Sequence, residues 1–278
     1  MTVQTALLQG TQLLEEAAVA VPRLTAEVLL GHAMHRERVW FYAHPEVELQ
    51  EVEWIHYGRY LHERMQGKPT QYITKRQEFF GREFRVTPDV LIPRPETEHV
   101  VEIALEVARG ARRILDAGTG SGALAVTLAL ETGAETLATD ISPAAARVAA
   151  ENAACLGSHV YVVVCDLMEA IAPGSVDLVV SNPPYVPLAQ RAGMQREVRD
   201  WEPEIALFSG ESGFDLYERL VAEAPRVLRP GGWLVMELGF GSAGRVEEMM
   251  RAWHELRLTP DLAGIPRVIA GKWTPHPR

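Results

Sequence analysis

The stretch Asp116-Ala117-Gly118-Thr119-Gly120-Ser121-Gly122 decides the fold of this chain. A short apolar segment, Arg113–Asp116, leads into this stretch, and a helical stretch follows it. Glycines at alternate positions permit a tight turn and let a ligand approach bare backbone. The stretch also fits the dinucleotide fingerprint with Ala123 as its last residue, so it does not by itself identify the ligand. It predicts a ligand-binding turn between a strand and a helix.

Short apolar strands alternate with helical stretches around and after this turn. The predicted strands are Arg113–Asp116, Thr136–Asp140, Val160–Cys165, Val176–Ser181, Trp233–Glu237 and Arg267–Lys272, and the predicted helices are Pro143–Leu156, Phe214–Leu228 and Ala243–His254. This alternation predicts an α/β fold, a doubly wound, Rossmann-like sheet with helices on both faces.

The first 95 residues have a different pattern. Apolar residues recur at helical spacing through residues 1–75, and we expect Gly10, Pro22, Gly31 and Pro45 to divide this region into short helices. Residues 78–86 alternate around a glycine, which is typical of a hairpin, and three prolines then stiffen a connector. The sequence therefore predicts a small helical bundle over residues 1–75, a hairpin connector over 76–95 and a catalytic domain over 96–278.

Composition excludes several classes of protein. The chain has 278 residues, of which 47% are hydrophobic and 23% charged, and its net charge is −10. Its two cysteines form no Cys-x-x-Cys motif, and its longest apolar run, Ala123–Leu130, is too short to span a bilayer. We expect a cytoplasmic protein with reduced thiols and no bound metal. The acidic charge disfavours broad binding to nucleic acid.

Acidic residues end the two strands that follow the glycine turn. Asp140 ends the first of them, where a carboxylate can accept from two ribose hydroxyls, which NAD and S-adenosylmethionine both possess. Asp166 ends the second, where it can accept from an adenine amino group, and Leu167 can pack on the ring. Together with the glycine turn, these residues predict an adenosine-bearing ligand.

The strand Val176–Ser181 runs into the loop Asn182-Pro183-Pro184-Tyr185, beside the switch point of the predicted sheet. The prolines remove two N–H donors, so the loop offers the Asn182 side-chain oxygen and the Pro183 carbonyl as acceptors. Two acceptors suit a planar, conjugated –NH2 group and can hold its nitrogen toward a methyl-bearing sulfonium, whose cation an aromatic face such as that of Tyr185 tolerates. Since the loop has no titratable base, the sequence predicts a rate without a steep rise between about pH 6.5 and 9.

The glycine turn and the Asn-Pro-Pro-Tyr loop together resemble class I S-adenosylmethionine-dependent methyltransferases that act on conjugated amino groups. Further stretches resemble the HemK/PrmC family; they are Phe79–Phe84, Leu91–Glu98, Trp201–Pro203 with Ala206-Leu207, Leu228–Gly232 and Asp261–Val268. Members of that family methylate the side-chain amide of a glutamine in a Gly-Gly-Gln motif of class-1 peptide-chain release factors. The chain departs from the family at Ala117, where leucine is usual, and at Leu167, where some members have an aromatic residue.

The resemblance implies a site for S-adenosyl-L-methionine and one for the substrate glutamine. With Asp166 from the strand-end argument, the expected cofactor contacts are Ala117, Gly118, Thr119, Gly120, Ser121, Asp140, Asp166, Leu167 and Asn182. The expected substrate contacts are Asn182, Pro183, Pro184 and Tyr185, of which Asn182, Pro183 and Tyr185 are the expected catalytic residues. The resemblance also places Arg94 and Thr97 near the methionine end of the cofactor, and it gives the N-terminal helices a role in docking the release factor.

Four alternatives remain open. A glutamine methyltransferase acting on a ribosomal protein would share the catalytic loop. A DNA adenine or RNA guanine N-methyltransferase would also use Asn-Pro-Pro-Tyr, although base-flipping enzymes need a positive cleft, which this acidic chain disfavours. A nucleotide-linked dehydrogenase leaves that loop without a purpose, and a non-enzymatic module would bind the cofactor alone. We expect a class-1 release factor as the protein partner, no direct nucleic-acid binding and no membrane association.

Overall fold

The structure is a computed structural model that describes residues 1–275, so the last residues of the predicted catalytic domain, 276–278, lie outside the described part. The chain forms two compact units. The helical unit contains Met1–Arg76 together with Gln195–Trp201, and the catalytic unit contains Gln77–Met194 and the chain from Glu202 onward. Within residues 1–275, no helix is long and apolar enough to cross a membrane.

Five helices form most of the helical unit. They are α1 (Val3–Glu16), α2 (Pro22–Met34), α3 (Arg38–Ala43), α4 (Glu51–Met65) and α5 (Thr70–Thr74). Their apolar stripes meet in one core, in which Leu14, Leu29 and Tyr57 are almost completely buried. The predicted helical bundle is therefore present, since each amphipathic helix buries its apolar side against its neighbours.

Two of the glycines expected to break these helices lie inside them instead. Gly10 is in the middle of α1, and a Cβ there would lie 2.0 Å from the hydroxyl oxygen of Tyr57. Gly31 is inside α2, and a Cβ there would lie 2.8 Å from the carbonyl oxygen of Arg36. The prediction of breaks at these positions is wrong because close packing, which a single sequence does not display, requires glycine there.

The catalytic unit begins with the predicted hairpin. Strands β1 (Arg76–Phe79) and β2 (Arg82–Arg85) form a two-stranded sheet. The two turn residues, Phe80 and Gly81, have φ angles of +50° and +69°, as a tight hairpin turn requires. Phe79 and Phe84 are buried beneath the turn, so the hairpin is fixed to the core of the unit.

The remaining elements are strands with helices between most of them. In chain order they are α6 (Glu98–Val107), β3 (Arg113–Ala117), α7 (Ala123–Thr132), β4 (Glu135–Asp140), α8 (Pro143–Cys155), β5 (Val160–Val164), β6 (Val176–Ser181), α9 (Arg196–Trp201), α10 (Asp215–Val227), β7 (Leu228–Glu237), α11 (Ala243–Met249), β8 (His254–Pro260) and β9 (Pro266–Lys272).

One seven-stranded sheet has the order β5-β4-β3-β6-β7-β9-β8. The first five strands of that order are parallel, whereas β9 pairs antiparallel with β7 and β8 pairs antiparallel with β9. Because the chain leaves β3 toward one edge and returns to β6 on the other side, the switch point lies between β3 and β6. The predicted doubly wound α/β fold is confirmed.

Helices cover both faces of this sheet, because successive strand residues point to opposite faces. Leu115, Val179 and Leu234 pack toward α10 and α11, whereas Ile114 and Leu178 pack toward α6 and α7. Helices therefore cover both faces of the sheet, which leaves the carboxyl edge of the strands as the place where a ligand can approach.

Two predicted boundaries are wrong. The helix expected over Ala243–His254 ends at Met249, and the chain from His254 forms β8 instead. Strand β8 lies at the sheet edge and exposes most of its residues, so it lacks the alternating apolar pattern that identifies a half-buried strand. Strand β7 begins at Leu228, five residues before the predicted start at Trp233, because its pairing with β6 resumes across an irregularity.

Helix α9 belongs to the helical unit although it lies far along the sequence. Glu197 pairs with the buried guanidinium of Arg64 at 2.5 Å, and the Lys68 ammonium lies 5.8 Å from the ring centre of Trp201. The chain that follows the Asn-Pro-Pro-Tyr loop therefore completes the helical unit.

Candidate active site

The glycine turn after β3 leaves space for a ligand. Gly118 and Gly120 have φ angles of +76° and +54°, and a Cβ on either would meet no atom within 4 Å. Gly122 serves packing instead, since a Cβ there would lie 3.1 Å from Ala149 of α8. The backbone N–H groups of Gly118 and Thr119 both donate to the carbonyl of Thr139 at 2.9 Å, which fixes the turn against β4.

Asp116 lies buried beneath the turn. Its Oδ2 accepts from the hydroxyl of Thr119 at 2.6 Å and from the N–H of Ala125 at 3.2 Å. Its Oδ1 is buried and has no hydrogen-bond partner among residues 1–275. Burial raises the pKa of Asp116 to about 7, although both hydrogen bonds favour the ionised form. When Asp116 is ionised, this oxygen can accept a further hydrogen bond.

Asp140 ends β4 on the other side of the turn. Its Oδ2 accepts from the N–H of Gly120 at 2.8 Å, and its Oδ1 accepts from the N–H of Ser142 at 2.9 Å. Burial raises the pKa of Asp140, and the backbone hydrogen bonds oppose that shift. Each carboxylate oxygen can accept a second hydrogen bond, so Asp140 can take the two hydroxyls of a ribose.

These groups line one cavity of about 250 Å³ in the catalytic unit. Its walls contain most of the predicted cofactor contacts, namely Gly118, Thr119, Gly120, Ser121, Asp140, Asp166, Leu167 and Asn182. Pro184 and Thr97 line it as well. The structure thus brings together residues from the ends of four strands, as the doubly wound fold predicts.

Asp166 and Leu167, the residues expected to face an adenine, both line the cavity. Asp166 pairs with Arg219 at 3.0 Å, which the sequence did not predict. Leu167 is buried with a φ angle of +42°, which is strained for any residue that carries a Cβ. Such strain persists only where the surroundings hold it, so the packing around Leu167 fixes its backbone beside the cavity.

The Asn-Pro-Pro-Tyr loop leaves β6 beside the glycine turn. The Ser181 hydroxyl donates to the carbonyl of Ala117 at 2.7 Å, which joins the ends of β6 and β3. Asn182 donates from Nδ2 to the hydroxyl oxygen of Thr97 at 3.0 Å. The Tyr185 hydroxyl donates to Glu237 Oε1 at 3.3 Å. Both ends of the loop are therefore held by side chains of other elements.

Glu237 ends β7 and is almost completely buried. Its Oε2 accepts from the hydroxyl of Thr97 at 2.5 Å, so Asn182, Thr97, Glu237 and Tyr185 form one chain of hydrogen bonds. Burial raises the pKa of Glu237 to about 7, against the effect of the Thr97 and Tyr185 hydroxyls. Burial also raises the pKa of the Tyr185 phenol.

Some predicted residues do not line the cavity. Ala117 packs in the core beneath the turn, and of the four loop residues only Asn182 and Pro184 line the cavity, whereas Pro183 and Tyr185 do not. Arg94 pairs with the buried carboxylate of Glu202 at 2.5 Å and holds the proline-rich connector. The expected contacts of these residues with cofactor or substrate stay predictions.

Sequence reasoning missed several residues of the site. Ile141 and Arg219 line the cavity, Glu237 holds the loop, and Gly239 makes room for Tyr185. The sequence did offer one indication for Glu237, because it is an acidic residue at the end of a predicted strand, next to the strand that leads into the Asn-Pro-Pro-Tyr loop. The others give no signal in a single sequence.

Two segments of the chain match known protein families. Residues 5–74 match the family described as the PrmC N-terminal domain, and residues 100–197 match the family described as the methyltransferase small domain. Relatives match over nearly the whole length. A release factor glutamine methyltransferase of Koribacter versatilis is 46% identical over 276 residues, covering 98% of this chain and 99% of its own. The chain belongs to the release factor glutamine methyltransferase family.

A second family member, from Nitratidesulfovibrio vulgaris, is 41% identical and covers 96% of this chain and 94% of its own. The resemblance to the HemK/PrmC family and the prediction of a protein methyltransferase are therefore confirmed.

Solved structures share the fold. A methyltransferase of Pyrococcus furiosus has a TM-score of 0.53 at 19% identity and covers 73% of this chain and 94% of its own. A 16S rRNA N2 G1207 methyltransferase of T. thermophilus, solved with AdoMet and guanosine, has a TM-score of 0.50 at 20% identity and covers 71% of this chain and 49% of its own. These likenesses confirm the class I methyltransferase fold.

Proposed function

We propose that this protein binds S-adenosyl-L-methionine and transfers a methyl group to the side-chain amide nitrogen of the glutamine in the Gly-Gly-Gln motif of class-1 peptide-chain release factors. The observation that carries the proposal is the position of Asn182, which lines the same cavity as the glycine turn and Asp140. The names of the relatives from Koribacter versatilis and Nitratidesulfovibrio vulgaris support the substrate.

The residues of the cavity fit the cofactor. Asp140 would take its ribose hydroxyls, Gly118 and Gly120 would allow its close approach, and the unpartnered Oδ1 of Asp116 would accept from its ammonium group. Asp166 and Leu167 would face the adenine. When bound, S-adenosyl-L-methionine supplies an electrophilic methyl group on a sulfonium.

The loop positions the substrate amide. Because the Nδ2 of Asn182 donates to Thr97, its Oδ1 is the atom that remains for the substrate. One N–H of the glutamine amide would donate to that oxygen and the other to the Pro183 carbonyl. These two hydrogen bonds would hold the nitrogen in place, with its conjugated lone pair directed toward the methyl-bearing sulfonium. The alkylated nitrogen is acidic enough to lose its proton to water, so these residues need not act as a base.

The helical unit would dock the remainder of the release factor. Residues 5–74 match a domain described by its place at the PrmC N-terminus, which supports a division into a docking domain (1–75), a connector (76–95) and a catalytic domain (96–278). A substrate of the translation machinery also implies a cytoplasmic location.

Two other classes of substrate are less well supported. A ribosomal protein glutamine would fit the same loop, but the two relatives compared above carry the name of the release factor enzyme. Nucleic acid is disfavoured because the net charge of −10 repels a phosphate backbone, although the T. thermophilus structural relative acts on rRNA.

The proposal is tested by offering labelled S-adenosyl-L-methionine and four purified acceptors to the protein. The acceptors are an intact release factor, the same factor with glutamate in place of the Gly-Gly-Gln glutamine, total ribosomal proteins and a duplex DNA with adenines. We expect label in the intact factor alone. Label in the glutamate variant, in ribosomal proteins or in DNA contradicts the proposal.

A further inference from the structure

Glu237 has no role in the proposed transfer, yet it is a buried carboxylate at the carboxyl edge of the sheet, with 2% of its surface exposed. Each of its oxygens accepts from a different hydroxyl, Oε2 from Thr97 and Oε1 from Tyr185. Burying a carboxylate costs free energy unless its oxygens are hydrogen-bonded, so the two hydroxyls offset the cost of burying Glu237.

Thr97 is used in an unusual way. It occupies the position before the first turn of α6, where a threonine hydroxyl commonly accepts from backbone N–H groups, but its side chain makes no such capping bond. The hydroxyl has one hydrogen, and it donates that hydrogen to Glu237. Its oxygen is therefore an acceptor toward Asn182, which donates from Nδ2.

This chain of bonds selects one orientation of the Asn182 amide. If the amide turned over, its oxygen would face the Thr97 oxygen, whose hydrogen points to Glu237, and two acceptors would meet. Among the residues that the structure describes, no donor contacts the Oδ1 of Asn182. That oxygen therefore stays available to a ligand, and Asn182 lines the cavity.

We propose that Glu237 is a positioning residue for methyl transfer: through the Thr97 hydroxyl it holds the Asn182 amide with its oxygen toward the substrate nitrogen. The inference rests on the proposed function, since it concerns the same loop. Tyr185, bound to the other carboxylate oxygen, places the far end of the loop on the same anchor.

A direct role as general base does not fit the geometry. Glu237 is not among the residues that line the cavity, and the Thr97 hydroxyl links its carboxylate to Asn182, which does line it. The charged and titratable groups that face Glu237 come from several elements: the charge of Glu96 raises its pKa, that of Arg267 lowers it, and the hydroxyls of Tyr185 and Tyr217 bind its side chain and its carbonyl.

The first test removes the link between the carboxylate and the amide. We expect Thr97→Val to lower the single-turnover rate with an intact release factor about tenfold, the effect of one hydrogen bond, while the Kd for S-adenosyl-L-methionine changes less than about threefold. Thr97→Ser keeps the hydroxyl and should retain the rate. The matched control is Thr127→Val, because Thr127 is fully buried in α7 and its hydroxyl has no partner within residues 1–275.

The second test uses pH, which separates positioning from support of the fold. Protonation removes the negative charge of Glu237 and weakens it as an acceptor for the Thr97 hydroxyl, so the wild-type rate should fall as the pH is lowered through about 7. Both Glu237→Gln and Thr97→Val should remove this fall, and the double variant should be no slower than the slower single variant. A general base would keep its pH dependence in Thr97→Val.

The outcomes distinguish the two proposals. If the unsubstituted protein transfers no methyl group to the release factor, the proposed function fails and the role of Glu237 fails with it. If the unsubstituted protein is active and Thr97→Val keeps both its rate and its pH dependence, only the role of Glu237 is overturned. Additive losses in the double variant overturn it as well.

Discussion

Asn182 is the residue on which the proposed transfer depends most. Its Oδ1 would accept from the substrate amide as positive charge develops on the nitrogen, and Nδ2 is engaged by Thr97. Removing a preorganised hydrogen bond of this kind costs about 10²–10³ in rate. We therefore expect Asn182→Ala to lower kcat by that order while the affinity for S-adenosyl-L-methionine, measured by calorimetry, falls less. A variant with wild-type kcat would remove Asn182 from the mechanism.

Asp140 should matter for cofactor binding instead. Loss of a charged acceptor from a partly buried site costs about 1.5–3 kcal/mol, so Asp140→Ala should weaken S-adenosyl-L-methionine at least tenfold. The matched control is Asp177→Asn, because Asp177 accepts from the N–H groups of Arg112 and Arg113 at the start of β3, away from the cavity. Equal cofactor affinity of the wild-type and Asp140→Ala proteins would contradict the assigned role.

The buried carboxyl of Asp116 should make stability depend on pH. Burial raises its pKa from the ordinary 3.8 to about 7, so between these values the folded protein holds a proton that the unfolded chain releases. The associated stability is present below pH 3.8 and is lost as the pH rises through about 7. Within this window the free energy of unfolding should fall by at most about 1.4 kcal/mol for each pH unit.

Chemical denaturation of the protein without cofactor, at pH 5 and at pH 8, measures this effect. We expect the stability difference between wild type and Asp116→Asn to favour wild type more at pH 5 than at pH 8. A difference that stays constant over this range would mean that Asp116 is ionised at both values.

Single residues also show where the sequence falls short. The loop itself has no group that titrates near neutral pH, which led to the prediction of a rate without a steep rise between about pH 6.5 and 9. In the structure, the Glu237 carboxylate accepts from the hydroxyl of Tyr185, a loop residue, and from that of Thr97, and its pKa is about 7. The expected pH dependence now comes from this neighbour, which only the three-dimensional fold brings to the loop.

At the scale of elements, the turn after β7 shapes the substrate loop. A Cβ at Gly239 would lie 2.6 Å from the ring of Tyr185, and the N–H of Gly239 donates to the hydroxyl of Tyr217 at 3.0 Å. The ring of Tyr185 therefore packs directly on this backbone. We expect Gly239→Ala to displace Tyr185 and to lower kcat about tenfold or more, with the cofactor Kd nearly unchanged.

Gly241 provides the matched control for that substitution, because a Cβ at this position would meet no atom within 4 Å. Its φ angle of +78° makes alanine strained there, so Gly241→Ala should cost some stability while the rate of methyl transfer remains. A Gly239→Ala variant that is as active as Gly241→Ala would show that Tyr185 does not depend on this contact.

The elements differ in how well the sequence predicts them. The parallel strands β3, β4, β5 and β6 were predicted to within a residue at either end, because buried strands read as short apolar runs between turns. Strand β8 was missed because an exposed edge strand has no such pattern. Asp140, Asp166 and Asn182 each lie at or directly after the end of a predicted strand, which helped to single them out, whereas Thr97 and Glu237 are joined by a contact across 140 residues of sequence.

At the scale of the whole molecule, each unit has its own core. The cavity is lined entirely by residues of the catalytic unit, so a chain of residues 77–278 should bind S-adenosyl-L-methionine with about the affinity of the full chain. It lacks the helices that would dock the release factor, and remote contacts of this kind position the reacting group. We expect its kcat/KM on an intact release factor to be at least about tenfold lower. A truncated chain with full-length kcat/KM would refute the docking role.

The chemistry of the whole protein is tested most directly by locating the methyl group. The full chain is mixed with S-adenosyl-L-methionine and an intact class-1 release factor, and the product is digested and sequenced by tandem mass spectrometry. We predict a single methyl group on the side-chain amide nitrogen of the Gly-Gly-Gln glutamine, absent when Asn182→Ala replaces the wild-type protein over the same reaction time. A methyl group on any other residue, or an unmodified factor after complete reaction with wild type, would contradict the account.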